Sequence, residues 1–328
     1  MYKNLRKIIF LFPPEFAQKI SHIYLKLFSW AYKERSNEPK KNIKGLEVKN
    51  RLGLAAGLDK NGELIEEMSN LGFGFIEIGT VTPKKQFGNK KPRIFRIEKE
   101  DSLLNSLGFN NKGATYVKKK LQALKRKDIA IGANIGPNKN TESNKRKEDY
   151  SYCFNELADF VDYIVLNISS PNTPDLRDLH NIENLKEIIE CILIEKENIN
   201  YSGKIFLKLS PDEKKSKTEA VIDLVNSMGI DGVIASNTSD DNQLKSDLGV
   251  SQKPGGISGK PLKNKSNELL KLVKSKIEPK KIIVAAGGVF DVDSYNEKIE
   301  LGADLVQLYT GLIYEGPNIV KRILNNGK

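Results

Sequence analysis

The chain has 328 residues, of which 39% are hydrophobic and 8% aromatic, enough for a large aliphatic core and long enough for an α/β barrel with an appendage. No run of eighteen apolar residues occurs, which excludes a spanning helix, and the isolated Cys153, Cys191, His22 and His180 suggest neither a disulfide framework nor a metal site. A net charge of +11 permits nucleic acid as a partner, yet no nucleic-acid motif accompanies it, and Lys118-Lys119-Lys120 with Lys125-Arg126-Lys127 fits a solvated helix face.

The first forty residues differ from the rest. Phe16, Ile20, Ile23, Tyr24, Leu27, Phe28 and Ala31 recur at helical spacing beside Trp30, and eight Lys/Arg against three Glu leave +5 of the charge here. A basic, amphipathic, aromatic-bearing segment suits a membrane interface, and it equally suits a helix docked on the outside of a domain. No small-residue cleavage site follows it, so it does not read as a signal peptide. The chain therefore divides into residues 1–40, an amphipathic helical segment suited to either place, and residues 41–328, the main domain.

Eight short apolar runs then alternate with helical patterns: 52–56, 73–78, 129–134, 163–168, 205–209, 233–236, 282–286 and 305–309. Eight units in βα order predict a closed (β/α)8 TIM barrel of parallel strands. No G-x-G-x-x-G opens a helix after the first strand, so a dinucleotide-binding domain is not indicated. Arg93–Glu98 alternates with period two and predicts a small antiparallel excursion over the barrel mouth.

Each run ends in a polar or glycine-rich signature. In order these are Ala56-Gly57-Leu58-Asp59-Lys60, Gly79-Thr80, Asn134-Ile135-Gly136, Asn167-Ile168-Ser169-Ser170-Pro171-Asn172-Thr173-Pro174, Lys208-Leu209-Ser210-Pro211, Ser236-Asn237-Thr238, Gly287-Gly288 and Tyr309-Thr310-Gly311. One alone is ordinary turn or cap chemistry. Eight in order point to one site ringed by strand ends, and loops after the seventh and eighth strands suit a phosphate. In the fourth loop the prolines stiffen the backbone, and each carboxamide offers a donor and an acceptor to a cyclic amide or imide.

With the strings GLAAGLDKNGE, IEIGTVTP, SLGFNN, NISSPNTP and GGISGKPL in this order, the chain closely resembles the class 2, quinone-dependent dihydroorotate dehydrogenases from its N-terminal helices almost to its C-terminus. Serine at 170 is the mark of that class; the soluble class 1 enzymes and the dihydrouridine synthases carry a catalytic cysteine instead. A degenerate barrel acting as a membrane-bound binding protein is the non-enzymatic alternative, and the intact site residues speak against it.

The resemblance implies one non-covalent FMN per chain, oxidation of dihydroorotate to orotate in pyrimidine synthesis, and electrons passed to ubiquinone or menaquinone. It places the protein peripherally on the cytoplasmic side of the inner membrane, and the lack of an Arg/Ser-rich transit peptide favours a bacterial one. Ser170 is implied as the catalytic base. Lys60, Asn105, Ser106, Leu107, Gly108, Phe109, Asn167, Asn172, Asn237 and Thr238 are implied for substrate. Ala56, Gly57, Leu58, Asp59, Lys60, Thr80, Asn134, Asn167, Lys208, Ser236, Gly259, Gly288, Tyr309 and Thr310 are implied for FMN. Ser106, Pro137, Asp175 and Ser236 depart from the family pattern without removing a catalytic group.

Overall fold

The computed structural model describes residues 2–33, 39–125, 128–169 and 182–327. Ser170, Asn172, Thr173 and Asp175 lie outside the described residues.

The eight predicted runs form the eight strands of one closed parallel barrel: β3 (Leu52–Leu54), β4 (Phe75–Val81), β7 (Ala130–Ile135), β8 (Tyr163–Asn167), β9 (Lys204–Leu209), β10 (Gly232–Ala235), β12 (Ile282–Ala286) and β13 (Leu305–Leu308), with β13 pairing back onto β3. Because side chains alternate along a strand, each run serves two cores. Ile76, Ile131, Ile164, Leu166, Ile205, Leu207 and Val306 face outward into the layer under the helices. The intervening Phe75, Tyr163, Val165, Phe206, Ile234, Ile282, Val284 and Leu305 fill the barrel interior. Both faces are buried, which is why the strands read as continuous apolar runs.

The amino ends of four strands are held alike. The Asp162 carboxylate accepts from Ile131 N, Asp231 from Ile205 N and Asp304 from Ile283 N, while the Asn50 side chain accepts from Leu52 N. Below them a hairpin, β1 (Lys41–Ile43) with β2 (Leu46–Val48), packs Leu46 and Val48 under the interior cluster.

Over the opposite end lies the antiparallel excursion, β5 (Ile94–Ile97) paired with β6 (Ser102–Asn105). A third strand, β11 (Gly256–Gly259), comes from a distant loop. Two helices precede the barrel: α1 (Tyr2–Phe10) and α2 (Pro14–Phe28). Arginines tie them to the mouth. Arg6 donates to Tyr314 O at 2.8 Å, Arg96 donates to Phe10 O and Phe12 O, and Arg93 forms an ion pair with Glu15 at 2.8 Å. No described helix is long and apolar enough to cross a membrane.

The interior packing is tight at Gly132, where an added Cβ would lie 2.0 Å from the Tyr163 ring. Gly132→Ala should therefore destabilise the fold by about 1–3 kcal/mol or more through overpacking, read as a lower urea midpoint at unchanged slope. An unchanged midpoint would show that the interior can yield there.

Candidate active site

The carboxyl ends of the strands surround a cavity that opens to solvent, with about 960 Å³ of free space counting its mouth. Its floor is polar because the interior positions change character along the strands. Glu77 follows Phe75 on the inner face of β4 and is fully buried. Its carboxylate accepts from Asn134 Nδ2 at 2.9 Å and Gln307 Nε2 at 2.5 Å, and Lys208 Nζ lies 3.7 Å away. From Asn134 the network climbs toward the mouth. Thr80 Oγ1 donates to Asn134 Oδ1 at 2.5 Å, and Asn167 Nδ2 donates to both Thr80 Oγ1 and Asn134 Oδ1. Asn237 Nδ2 donates to Ser169 Oγ at 3.1 Å.

Seventeen residues implied by the resemblance line this cavity together: Ala56, Gly57, Lys60, Thr80, Asn105, Leu107, Gly108, Phe109, Asn167, Lys208, Ser236, Asn237, Thr238, Gly259, Gly288, Tyr309 and Thr310. Asn134 sits one step behind, holding Thr80 and Asn167. Five implied contacts stand differently. Ser106 is buried, its backbone N–H bonded to Arg93 O, and it is not part of the lining. The Asp59 carboxylate turns back to accept from the backbone N–H groups of Asn61, Glu63 and Leu64, which shapes the loop carrying Lys60. Leu58 faces a second cavity described below. Ser170 and Asn172 fall beyond the described part of their loop, whose last described residue, Ser169, is fully buried. Glu77 and Gln307 carry the floor and were missed from sequence. Their signal was a single polar residue at an inward position of a strand otherwise apolar around it.

At one end of the cavity two glycines allow close backbone approach. Gly57 has φ +108° and its Cβ would crowd the Tyr309 ring; Gly288 has φ +76° and its Cβ would meet Lys263 Cα at 2.5 Å. Beside them Thr310 Oγ1 donates to Ser258 Oγ at 2.9 Å. Small residues and exposed backbone at Gly288 and Thr310 fit a phosphate, and Lys208 with three carboxamides fits a planar heterocycle. Lys60, half-buried, is pushed down to about 8 by desolvation, then by Arg93 and Lys208, with Glu15 acting the other way.

The second cavity, about 1410 Å³, lies between α1, α2 and the barrel mouth. Its wall is mostly aliphatic and aromatic, with Gln18, His22 and Arg96 among few polar members. His22 Nε2 is buried with no hydrogen-bond partner among the described residues. Burial, then the nearby Lys26, lowers the His22 pKa, although Glu63 raises it. Asn105 and Tyr309 line both cavities.

A sequence model of the family described as Dihydroorotate dehydrogenase matches residues 39–326, the whole barrel. The chain belongs to the dihydroorotate dehydrogenase family. Relatives named Dihydroorotate dehydrogenase (quinone) include one from Coxiella burnetii strain Dugway 5J108-111, 42% identical over 99% of this chain and 96% of its own, and one from Legionella pneumophila strain Corby, 38% identical over 99% and 98%. A crystal structure of the Eimeria tenella enzyme in complex with ferulenol superposes with a TM-score of 0.86 at 30% identity, covering 97% of this chain and 93% of that one. The relatives' names place them in the quinone-dependent class of this family, whose members are flavin-dependent oxidoreductases.

Orotate carries a carboxylate, and an anion favours the charged form of Lys60. Its affinity should hold steady below a pH of about 8 and weaken above it, approaching tenfold per pH unit as binding must take up a proton. Lys60→Met should bind orotate more weakly and flatten that profile. A wild-type titration flat from pH 7 to pH 10, with the lowered lysine set at about 8, would contradict the assignment.

Proposed function

We propose that the strand-end cavity holds one non-covalent FMN beside dihydroorotate, and that the cavity under the N-terminal helices admits the quinone. The observation that carries this reading is the shared wall: Asn105 and Tyr309 separate a polar chamber from an apolar one, so one bound redox group can serve both. Tyr309 is buried enough that its phenol is pushed up to about 12, so the partition stays uncharged at neutral pH.

Gly57, Thr80, Asn167, Lys208 and Ser236 would hold the flavin ring, with Gly259, Gly288 and Thr310 at its phosphate. A bound flavin supplies a two-electron acceptor for the hydride leaving dihydroorotate and returns those electrons to the quinone. The chain's own groups do the rest. Lys208, fixed against Glu77, supplies a positioned cation where negative charge grows on reduction. Asn105, Asn167, Asn172, Asn237 and Thr238 orient the pyrimidine through its amides, and Lys60 takes the carboxylate. Ser170 removes the proton from C5, and burial of the neighbouring Ser169 and Phe109 keeps water from competing.

The second chamber fits a molecule with a polar head and an apolar tail. The outer surface of this segment remains apolar: Leu11, in the turn between the helices, is 82% exposed, and on α2 Ile23 is 60% and Phe16 51% exposed. Lys19 and Lys26 flank them on α2. This supports seating of residues 1–40 on an anionic membrane surface, on its cytoplasmic side.

Three measurements test the reading. Anaerobic dihydroorotate should bleach the flavin of the purified protein while NADH leaves it unchanged; a colourless or FAD-containing protein contradicts the cofactor assignment. Ser170→Ala should slow that bleaching by roughly 10²–10⁴-fold with orotate binding retained, and a wild-type rate would place the base elsewhere. Removal of residues 1–40 should spare bleaching and turnover with a soluble dye but abolish reoxidation by quinone. Undiminished quinone turnover by the folded truncation would return the helices to a packing role.

A further inference from the structure

Lys298 is fully buried in the helix α10 (Val292–Glu300), an unusual place for an ammonium. Its Nζ donates to Ser266 Oγ at 2.6 Å, and among the described residues it has no ion-pair partner. The adjacent carboxylate, Glu297, is occupied elsewhere: Lys263 Nζ stands 2.9 Å from it, and Asn267 Nδ2 donates to it at 2.8 Å. Desolvation lowers Lys298 to about 7, with Glu297 acting against the shift and Lys263 adding to it. The mechanism makes no use of this group.

What it reaches is the back of the phosphate end. Ser266, itself fully buried, donates to Gly287 O at 3.1 Å or Lys263 O at 2.9 Å. The hydroxyl packs so closely on the turn that a Cβ at Gly287 would meet it at 3.2 Å. Gly287 and Gly288 line the cavity on their other side. The turn is thus held between a buried amine behind, whose charged form an anion would favour, and the cavity in front. A buried ammonium without a counter-ion is costly, and a dianion across the turn would offset that cost.

We propose that Lys298 is a positioning residue for the cofactor phosphate, acting through Ser266 to set the Gly287-Gly288 turn and supplying the positive charge behind it. The proposal rests on the FMN reading above and goes one step past it: selectivity for the phosphorylated flavin arises from a residue that never touches it.

The test compares FMN with riboflavin, which has the same ring and no phosphate, on full-length protein stripped of flavin, by fluorescence quenching. Wild type should prefer FMN strongly. Lys298→Met should weaken FMN by about tenfold or more, the scale of one lost charge several ångströms away in a protein-like dielectric, and leave riboflavin unchanged. Lys298→Arg should restore part of the preference. If Lys298→Met fails to fold by circular dichroism, Ser266→Ala carries the comparison and should shrink the preference severalfold. A variant with undiminished preference, or one that loses both flavins equally, overturns the proposal. A wild type that binds neither flavin, or binds both alike, instead overturns the FMN reading itself.

Discussion

A carboxylate and an ammonium share the interior of this barrel, and the rest of the site is arranged around them. Glu77 and Lys208 stand where the interior side chains change from aromatic and aliphatic to polar. Burying either charge alone would cost several kcal/mol, and removing one partner of such a pair typically costs about 3–5 kcal/mol. The carboxylate is satisfied by Asn134 and Gln307 as well as by the lysine. Asn134 is then committed on one side, and its amide oxygen accepts from Thr80 and Asn167 toward the cavity. The apolar plug of Phe75, Tyr163 and Phe206 beneath excludes water from the pair. The barrel thereby presents a fixed cation and fixed carboxamides at the bottom of a pocket, with little reorganisation left for the reaction to drive.

Much of this could be read from the residues. The eight strands were recoverable because both faces of each are buried, and the strand-end signatures converge on one cavity because parallel strands in a barrel all finish at one end. What escaped had weak or misleading local signals. The strand Gly256–Gly259 is short and glycine-rich and pairs with Ser102–Asn105, some 150 positions earlier, so no local pattern marks it. The hairpin of Lys41–Ile43 and Leu46–Val48 carries no apolar run long enough to mark it, though two of its side chains close the barrel bottom. Asp59 lies in a run of apparent ligands, yet its carboxylate is consumed by three backbone donors. Whether a polar side chain faces a ligand or its own loop depends on backbone direction, which sequence order does not report.

The N-terminal helices are apolar in more than one direction. An amphipathic stripe serves a docked helix or a membrane-facing one, and these helices have apolar groups on more than one side. Ala17 and Leu25 are buried, while Leu11, Phe16 and Ile23 stay in the open. Guanidinium groups of Arg6, Arg93 and Arg96 tie the helices to the mouth at its edge, and a chamber remains between helices and barrel. Arg96 also lies 4.3 Å from the Phe10 ring centroid, which secures the end of the first helix by a cation–π contact. Polar clamps at the edge and apolar surface within leave room for a hydrophobic guest without loosening the frame.

The central claim is that Glu77 holds the Lys208 cation as the electrostatic reference of the redox site. It is tested most directly by the midpoint potential of the bound flavin in Glu77→Gln, a near-isosteric change that keeps an acceptor but removes the negative charge. Relieved of its counter-ion, Lys208 should favour the reduced flavin more strongly, raising the potential by ~30 mV for each ~1.4 kcal/mol of added interaction in a two-electron couple. A folded, flavin-loaded Glu77→Gln enzyme whose potential is unchanged or lower would contradict the account.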